Sequence, residues 1–264
     1  MITTRKNPID FLKREEKEFS IESSGSSIKY ITKRGVIIYR PDPVNFKNKD
    51  FGMFGHIRSN AEYLINEGLI DANVEKKSKF ISMSSFINDI DRPIRDVYEI
   101  DLRGAHWIIA KKLGLMNDNI FNEYYNSKSK RVKFVRNMSI GSLSMKKDFY
   151  EFKKGEISYI RSEKKITENV YWTIANYCNK IMKDCMEISE NSFLFYWVDA
   201  IFILGSEKIR NEICNEIKYK GFDFKIVKIE KMTRLDQILF VKSGNELRKF
   251  SIPHHIVRKE ILNK

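Results

Sequence analysis

Cysteine is scarce in this chain, which contains three, at positions 178, 185 and 214. Their number is odd and no two of them form a C-x-x-C pair, so the sequence predicts neither a disulfide framework nor a cysteine-based zinc site. Cys178 and Cys185 share one face of a predicted helix, where we expect them to lie in the core. Thiols used in this way are typical of a reducing compartment, and we expect a cytoplasmic protein.

Long apolar runs are missing as well. No stretch approaches the roughly 20 apolar residues of a membrane-spanning helix, and the N-terminus lacks the apolar centre of a signal peptide. We therefore expect no membrane partner.

Acidic residues are fewer than basic residues. The 264 residues include 48 Lys and Arg against 35 Asp and Glu, a formal net charge of +13. Because 42% of the chain is hydrophobic, it can bury a core, and disorder does not explain the surplus of cations. Such a surplus favours a polyanionic partner, nucleic acid before an anionic membrane.

Hydrophobic periodicity predicts an α+β fold, with a mainly antiparallel sheet backed by helices. Strands are predicted at residues 28–39 (a pair with a turn near Gly35), 97–102, 224–230 and 237–242. Helices are predicted at residues 58–67, 84–90, 105–115, 130–150, 167–187 and 206–220.

The most apolar run, residues 193–204, holds a single carboxylate, Asp199, and is typical of a buried strand or a tight hairpin. A charge in such a place is costly unless it is paired or bound to a metal. Asp101 ends another predicted strand. Two carboxylates on neighbouring strands are tolerable with a divalent cation between them, and oxygen ligands favour Mg²⁺ or Mn²⁺. Two such metal ions held close together support nucleotidyl transfer.

A basic helix face lies between the two aspartates in sequence. Lys133, Asn137 and Gly141 recur every four residues, so they share one face of the predicted helix, and Lys130 lies on the same side. A lysine and an amide beside a glycine form a surface that a triphosphate can approach closely.

Together these stretches resemble the palm and fingers motifs of family B DNA polymerases, especially the protein-primed phage branch. The family's first motif, D-x-x-S-L-Y-P, corresponds to Asp101-Leu-Arg-Gly-Ala-His106-Trp107. Its second, K-x-x-x-N-S-x-Y-G, is matched by Lys133, Asn137 and Gly141, with Met138 and Ile140 where Ser and Tyr are usual.

The third motif, Y-x-D-T-D-S, corresponds to residues 195–200, which read Phe-Tyr-Trp-Val-Asp-Ala. Asp199 keeps the second carboxylate, and Trp197 replaces the first. The resemblance covers roughly residues 97–242. No D-x-E proofreading motif precedes it, and the K-x-Y element is at best Lys231-Met-Thr.

The resemblance implies a minimal template-dependent DNA polymerase without proofreading. Asp101 and Asp199 would bind two Mg²⁺ (or Mn²⁺) ions, and Lys133 would hold the β- and γ-phosphates and protonate the leaving pyrophosphate. Implied partners are primed DNA, deoxynucleoside triphosphates, and a protein primer or accessory replication protein. The nucleotide would also contact backbone amides and a helix face: the backbone of Leu102, Arg103, Gly104 and Ala105, and the side chains or surfaces of His106, Lys130, Asn137 and Gly141. The template or primer strand would be contacted by Lys228, Lys231 and Arg234.

The same resemblance divides the chain into four segments. Residues 1–95 form an N-terminal region for template or partner binding, and 96–116 with 188–230 form the palm. Residues 117–187 form the fingers and connecting helices, and 231–264 a thumb-like basic C-terminal region. The cytoplasm would be that of a host if a phage encodes the protein.

Three alternatives stay open. Trp197, Gly104 and the missing Ser and Tyr favour a polymerase-derived nucleic-acid-binding protein that has lost catalysis. His106, where a Tyr usually excludes ribonucleotides, favours primase-like synthesis. A two-metal nuclease would use Asp101 and Asp199 and leave the basic helix face unexplained.

Overall fold

The structure is a computed structural model that describes residues 2–4, 6–24, 27–39, 47–71, 73–76, 80–90 and 92–253. The described chain is of the α+β class, as predicted, with antiparallel sheets backed by helices. The basic tail with His254 and His255 lies outside the described residues. The strands are β1 (Ile2–Thr4), β2 (Glu18–Ser24), β3 (Ser27–Thr32), β4 (Gly35–Tyr39), β5 (Ile81–Met83), β6 (Val97–Leu102), β7 (Lys147–Lys153), β8 (Glu156–Glu163), β9 (Phe193–Trp197), β10 (Ala200–Leu204), β11 (Phe224–Ile229), β12 (Lys231–Leu235), β13 (Ile238–Ser243) and β14 (Glu246–Ser251).

The helices follow the predicted amphipathic segments in most places. In chain order they are α1 (Ile9–Glu15), α2 (Asn48–Asn66), α3 (Ala105–Lys112), α4 (Asp118–Tyr125), α5 (Lys130–Gly141), α6 (Glu168–Ser189) and α7 (Glu207–Tyr219), with short 3₁₀ turns at Ser85–Asp89, Ser142–Ser144 and Glu190–Ser192. Ser206 caps α7, since its Oγ accepts a hydrogen bond from the Ile209 N–H at 3.4 Å.

The chain forms two compact units. The first comprises Met1–Glu75 and Ala110–Ile174, and the second comprises Lys76–Ile109 and Ala175–Lys264. These bounds differ from the four segments inferred from the sequence. The predicted N-terminal region is divided, because residues 76–95 belong to the second unit, where β5 adds a strand to the sheet.

The first unit contains a six-stranded sheet in the order β1-β4-β3-β2-β7-β8, antiparallel except for the parallel β1–β4 pair. Its small core is built around Leu12, Phe19, Tyr30 and Phe152. Phe19 and Phe152 stack on neighbouring strands, with ring centroids 4.6 Å apart. This pair links the N-terminal strands to β7, which comes much later in the chain.

The predicted helix over residues 130–150 is wrong in its second half. The helix ends at Gly141, and β7 begins at Lys147. Serine hydroxyls donate hydrogen bonds to carbonyls at the end of the helix. Ser142 Oγ donates to the Ser139 carbonyl at 2.7 Å, and Ser144 Oγ donates to the Gly141 carbonyl at 3.0 Å. The aromatic residues that follow then pair with β2, where they complete the sheet.

The second unit contains an antiparallel five-stranded sheet in the order β11-β6-β10-β9-β5, and a three-stranded sheet formed by β12, β13 and β14. The apolar run at 193–204 is the β9–β10 hairpin, with Val198 and Asp199 at its turn. α6 and α7 lie against one face of the larger sheet: the Tyr196 hydroxyl donates to Asn179 Oδ1 at 3.0 Å, and the Arg210 guanidinium lies over the Tyr98 ring.

Candidate active site

Asp101 and Asp199 meet at one end of the five-stranded sheet. Asp101 is paired in register with Ala200, the first residue after the hairpin turn, and the Leu102 N–H donates to the Asp199 carbonyl at 3.0 Å. The two aspartates are therefore one residue out of register on neighbouring strands, with Asp101 opposite Ala200 and Asp199 opposite Leu102. Both are half-buried.

The hairpin turn that presents Asp199 is conformationally strained. Val198 has φ of 58°, a left-handed conformation that is rare for a β-branched residue. Its N–H donates to the Phe80 carbonyl at 2.8 Å, and its carbonyl accepts from Cys178 Sγ at 3.7 Å. Backbone and thiol contacts on both sides of the peptide hold this turn, a pattern that persists only where surrounding structure over-determines it.

Two side chains, the half-buried His106 and the buried Cys178, are close enough to Asp199 for its charge to affect their pKa values. Burial lowers the pKa of His106 below its ordinary value, and the charge of Asp199 opposes that change without reversing it. Burial likewise raises the pKa of Cys178, and the charges of Asp199 and Cys185 add to the rise. In both groups burial is the largest cause of the shift, so the surroundings of this carboxylate are poorly solvated on that side. Sequence analysis placed Cys178 in the core; its contact with the hairpin turn has no signal in the sequence.

The amides after Asp101 only partly fit their predicted role. The Leu102 N–H is bound to Asp199, and the Arg103 N–H donates to the Asp223 carbonyl at 2.8 Å, so neither can also donate to a phosphate here. The amides of Gly104 and Ala105 remain, at the beginning of α3, where the helix dipole favours an anion. Gly104 has φ of 59°, which a glycine adopts without strain at this sharp turn into the helix.

Trp197, the residue in place of the family's first carboxylate, is a packing residue. It is paired in register with Ala200, which in turn is paired with Asp101, so the three side chains share one face of the sheet. The indole packs edge to face on Phe250 of β14, with centroids 5.3 Å apart. Phe195 and Phe202 stack beside it at 4.1 Å. Trp197 thus continues an aromatic cluster toward the end of the sheet.

A buried ion pair lies on the same face, one pair of residues further along β6. Glu99 is 4% exposed and receives two hydrogen bonds from Arg248 of β14, at 2.6 and 2.5 Å. These bonds raise the pKa of Arg248, burial opposes the rise, and the charges of Glu246 and Asp101 add to it. The pair connects the three-stranded sheet to the strand that carries Asp101.

Asp101 and Asp199 are the candidate ligands for a magnesium ion. Two carboxylates at adjacent positions supply oxygen ligands, and Mg²⁺ is often held by one or two carboxylates together with substrate phosphates and water. Among the described residues, no group of three or more His, Cys, Asp or Glu side chains is placed to hold a metal ion. A metal here would therefore take its other ligands from the substrate and solvent.

The residues predicted to contact the nucleotide on the basic helix lie on α5 of the first unit. Lys130, Lys133 and Asn137 are exposed, and Gly141 is half-buried. Within the described part of the chain, neither lysine has a carboxylate partner. A Cβ built on Gly141 would meet nothing within 4 Å, so the space beside this glycine is open.

Arg136 lies one turn along α5 from Lys133 but is buried. It is 8% exposed, its guanidinium carbon lies 6.0 Å from the centre of the Tyr125 ring, and burial lowers its pKa. Its Nε has no hydrogen-bond partner in the described structure. Arg136 is therefore a packing residue of α5 and does not extend the exposed face of Lys133.

A buried carboxylate fixes α5 within the first unit. Asp50 of α2 is fully buried and accepts hydrogen bonds from the Lys47 N–H at 2.8 Å, from the Tyr124 hydroxyl at 2.8 Å and from the Arg131 guanidinium. Burial would raise the pKa of Asp50, but these hydrogen bonds and the Arg131 charge outweigh it, so the pKa lies below the ordinary value of 3.8.

Asp50→Asn is expected to lower the free energy of unfolding by about 2–3 kcal/mol, because the charged hydrogen bond to Arg131 is lost in a buried place. Since folding lowers the pKa of Asp50, its stabilisation is complete above pH about 4 and is lost as the pH falls through the folded-state pKa. Urea unfolding at neutral and acid pH measures both effects. Equal acid sensitivity in the parent and in Asp50→Asn would contradict this account.

The three residues predicted to contact nucleic acid lie in different surroundings. Lys228 is ion-paired with Asp96 at 3.7 Å and lies over the Tyr98 ring. The Arg234 guanidinium donates to the Asp236 carbonyl at 2.9 Å and to the Ile87 carbonyl at 3.5 Å. Lys231 is exposed on β12. Lys228 and Lys231 are therefore both exposed, whereas the guanidinium of Arg234 is held by backbone carbonyls.

Comparison of the chain with protein-family models, with curated proteins and with solved structures gives no match. In the described part of the chain, no helix is both long enough and apolar enough to cross a membrane.

Proposed function

We propose that the protein is a minimal template-dependent DNA polymerase without a proofreading nuclease, acting in the cytoplasm. The observation that supports this most is the adjacency of Asp101 and Asp199, the end of one strand beside the turn of the neighbouring hairpin. Two further features support it: the open, unpaired lysine face of α5 and the free helix beginning after Gly104.

In the proposed reaction a primer 3′-hydroxyl, or a protein hydroxyl, attacks the α-phosphate of a deoxynucleoside triphosphate, and pyrophosphate leaves. Asp101 and Asp199 would hold Mg²⁺ or Mn²⁺, which would neutralise phosphate charge and lower the pKa of the attacking hydroxyl. Lys133 would bind the β- and γ-phosphates and protonate the leaving pyrophosphate, with Lys130 as a second cation. The amides of Gly104 and Ala105 would donate to phosphate oxygens.

The test is extension of a primed template by the purified protein with dNTPs and Mg²⁺ or Mn²⁺. We expect products complementary to the template, which a chelator abolishes. Absence of incorporation with both ions, with DNA and protein primers, would overturn the proposal. Incorporation of rNTPs, or products made without primer, would instead support the primase-like alternative suggested by His106.

A second function is favoured by Trp197. Its side chain packs on Phe250 where the family has a metal-binding carboxylate, which is what loss of catalysis would leave behind. A polymerase-derived binding protein would bind nucleic acid equally well with and without divalent metal and would incorporate no nucleotide. Binding measured with Mg²⁺ and with chelator, alongside the extension assay, separates the two functions.

Gly141→Ala tests the nucleotide face without disturbing the fold. Because a Cβ there meets no atom within 4 Å and alanine favours a helix, we expect stability to stay equal or rise by up to about 1 kcal/mol. We expect extension to weaken, mainly through a higher KM for dNTP, because the added methyl lies on the proposed nucleotide face, one turn from Asn137. Gly55→Ala in α2, which also has open space, is the control; equal KM values in both variants would contradict this role.

A further inference from the structure

The three-stranded sheet has one face that the proposed active site does not use. Its strand pairing places Thr233, Phe240 and Lys249 side by side in one row, and Lys231, Lys242 and Leu247 in the next. Side chains on the opposite face, such as Met232 and Val241, are buried in the core of the second unit. We call the outward surface the Phe240 face.

The Phe240 face is positively charged and carries no acid. Lys231, Lys242 and Lys249 are exposed, and within the described residues none of them has a carboxylate partner. Glu230, just before β12, accepts a hydrogen bond from the Gly244 N–H at 3.0 Å. Lys231 stands directly opposite Lys242, and like charges in this position destabilise a sheet. A bound polyanion relieves that repulsion.

An aromatic ring lies at the centre of these cations. Phe240 is half-buried, and Lys249 Nζ lies 5.5 Å from the centre of its ring. Leu235, Ile238 and Leu247 extend the face as an apolar rim, with 65%, 39% and 56% of their surfaces exposed. Apolar groups at this level of exposure, mixed with unpaired lysines, match a ligand that is itself both apolar and anionic.

We propose that the Phe240 face binds single-stranded nucleic acid, with a base stacked on Phe240 and phosphates contacted by Lys231, Lys242 and Lys249. Single strands offer base faces for stacking and phosphates for lysines, the combination used by proteins that bind them without sequence preference. A duplex hides its base faces. A second copy of the same face would bring lysines against lysines. The site uses neither aspartate, so it stands apart from the proposed catalysis.

The experiment measures binding of a labelled oligothymidylate by fluorescence anisotropy in chelator, which removes any contribution from metal at the aspartates. Phe240→Leu is expected to weaken binding about 10-fold or more, because a base loses its stacking partner. Lys242→Gln with Lys249→Gln is expected to reduce the slope of log affinity against log salt by about 1.4, two phosphate contacts at about 0.7 each.

The control is Lys180→Gln with Lys183→Gln, the same charge change on the exposed side of α6, and it is expected to leave the slope near that of the parent. Asp199→Asn is expected to bind like the parent, which separates this proposal from the catalytic one. The exposed lysine pair keeps the test decisive if Phe240→Leu folds poorly, as thermal melting would show. Parent-like binding by the lysine variant overturns the proposal. So does tight duplex binding indifferent to Phe240, or a dimer that Phe240→Leu dissociates without any effect on oligonucleotide binding.

Discussion

Asp199→Asn is expected to lower the rate of primer extension by about 10²–10³-fold or more while leaving affinity for primed DNA intact or higher. The amide keeps the shape of the side chain and its place in the hairpin turn. In the proposed reaction it would remove a negative charge that holds the divalent cation, and the phosphates would lose their charge compensation. Asp101→Asn is expected to behave in the same way, because Asp101 lies opposite Ala200, the residue that follows Asp199.

The matched control is Asp96→Asn, at the residue immediately before β6, at the end of this strand away from Asp101. Asp96 is exposed and has φ of 59°, a conformation that asparagine tolerates. Its ion pair with Lys228 is at the surface and contributes little. Extension and stability should both remain near those of the parent. If Asp199→Asn extends primers as fast as Asp96→Asn, the aspartate pair is not a catalytic centre.

Glu99→Gln is expected to lower the free energy of unfolding by about 3–5 kcal/mol, the largest stability effect that we expect of a single substitution in this unit. Glu99 is buried, and Arg248 has its guanidinium held by both carboxylate oxygens. Loss of the negative charge leaves a partly buried cation without its partner, near the aromatic rings of Phe202 and Phe250. Denaturant unfolding monitored by tryptophan fluorescence would measure this change.

Two further variants make the ion-pair prediction specific. Glu246→Gln, an exposed residue on the same strand as Arg248, should change stability by less than about 0.5 kcal/mol. The double variant Glu99→Leu with Arg248→Met should recover much of the loss, because an apolar pair of similar size requires no desolvation of charge. If the double variant is no more stable than Glu99→Gln, the loss of stability comes from disturbed packing and not from the unpaired charge of Arg248.

Much of the local structure around the aspartates could be predicted from the sequence. Strand 97–102, the hairpin around Asp199 and the capped helix after Ser206 follow from β-branched and aromatic runs, a Gly-Ser break and a serine cap. The helix predicted at 130–150 ends at Gly141. A basic stretch with scattered aromatic residues fits both the helical and the strand period, and only its pairing partner decides between them. That partner is β2, more than a hundred residues earlier.

The sequence alone determined the residue types available to this protein: a basic chain, two strand-end aspartates, and a lysine, an asparagine and a glycine on one helix face. These follow from local periodicity, which is a property of neighbouring residues. Only the tertiary structure decided that Asp101 and Asp199 are adjacent, that Arg248 neutralises Glu99, that the Leu102 and Arg103 amides are already occupied, and that Trp197 packs on Phe250. Each of these depends on strand pairing between distant segments, whose register is set by burial of one whole face of the sheet.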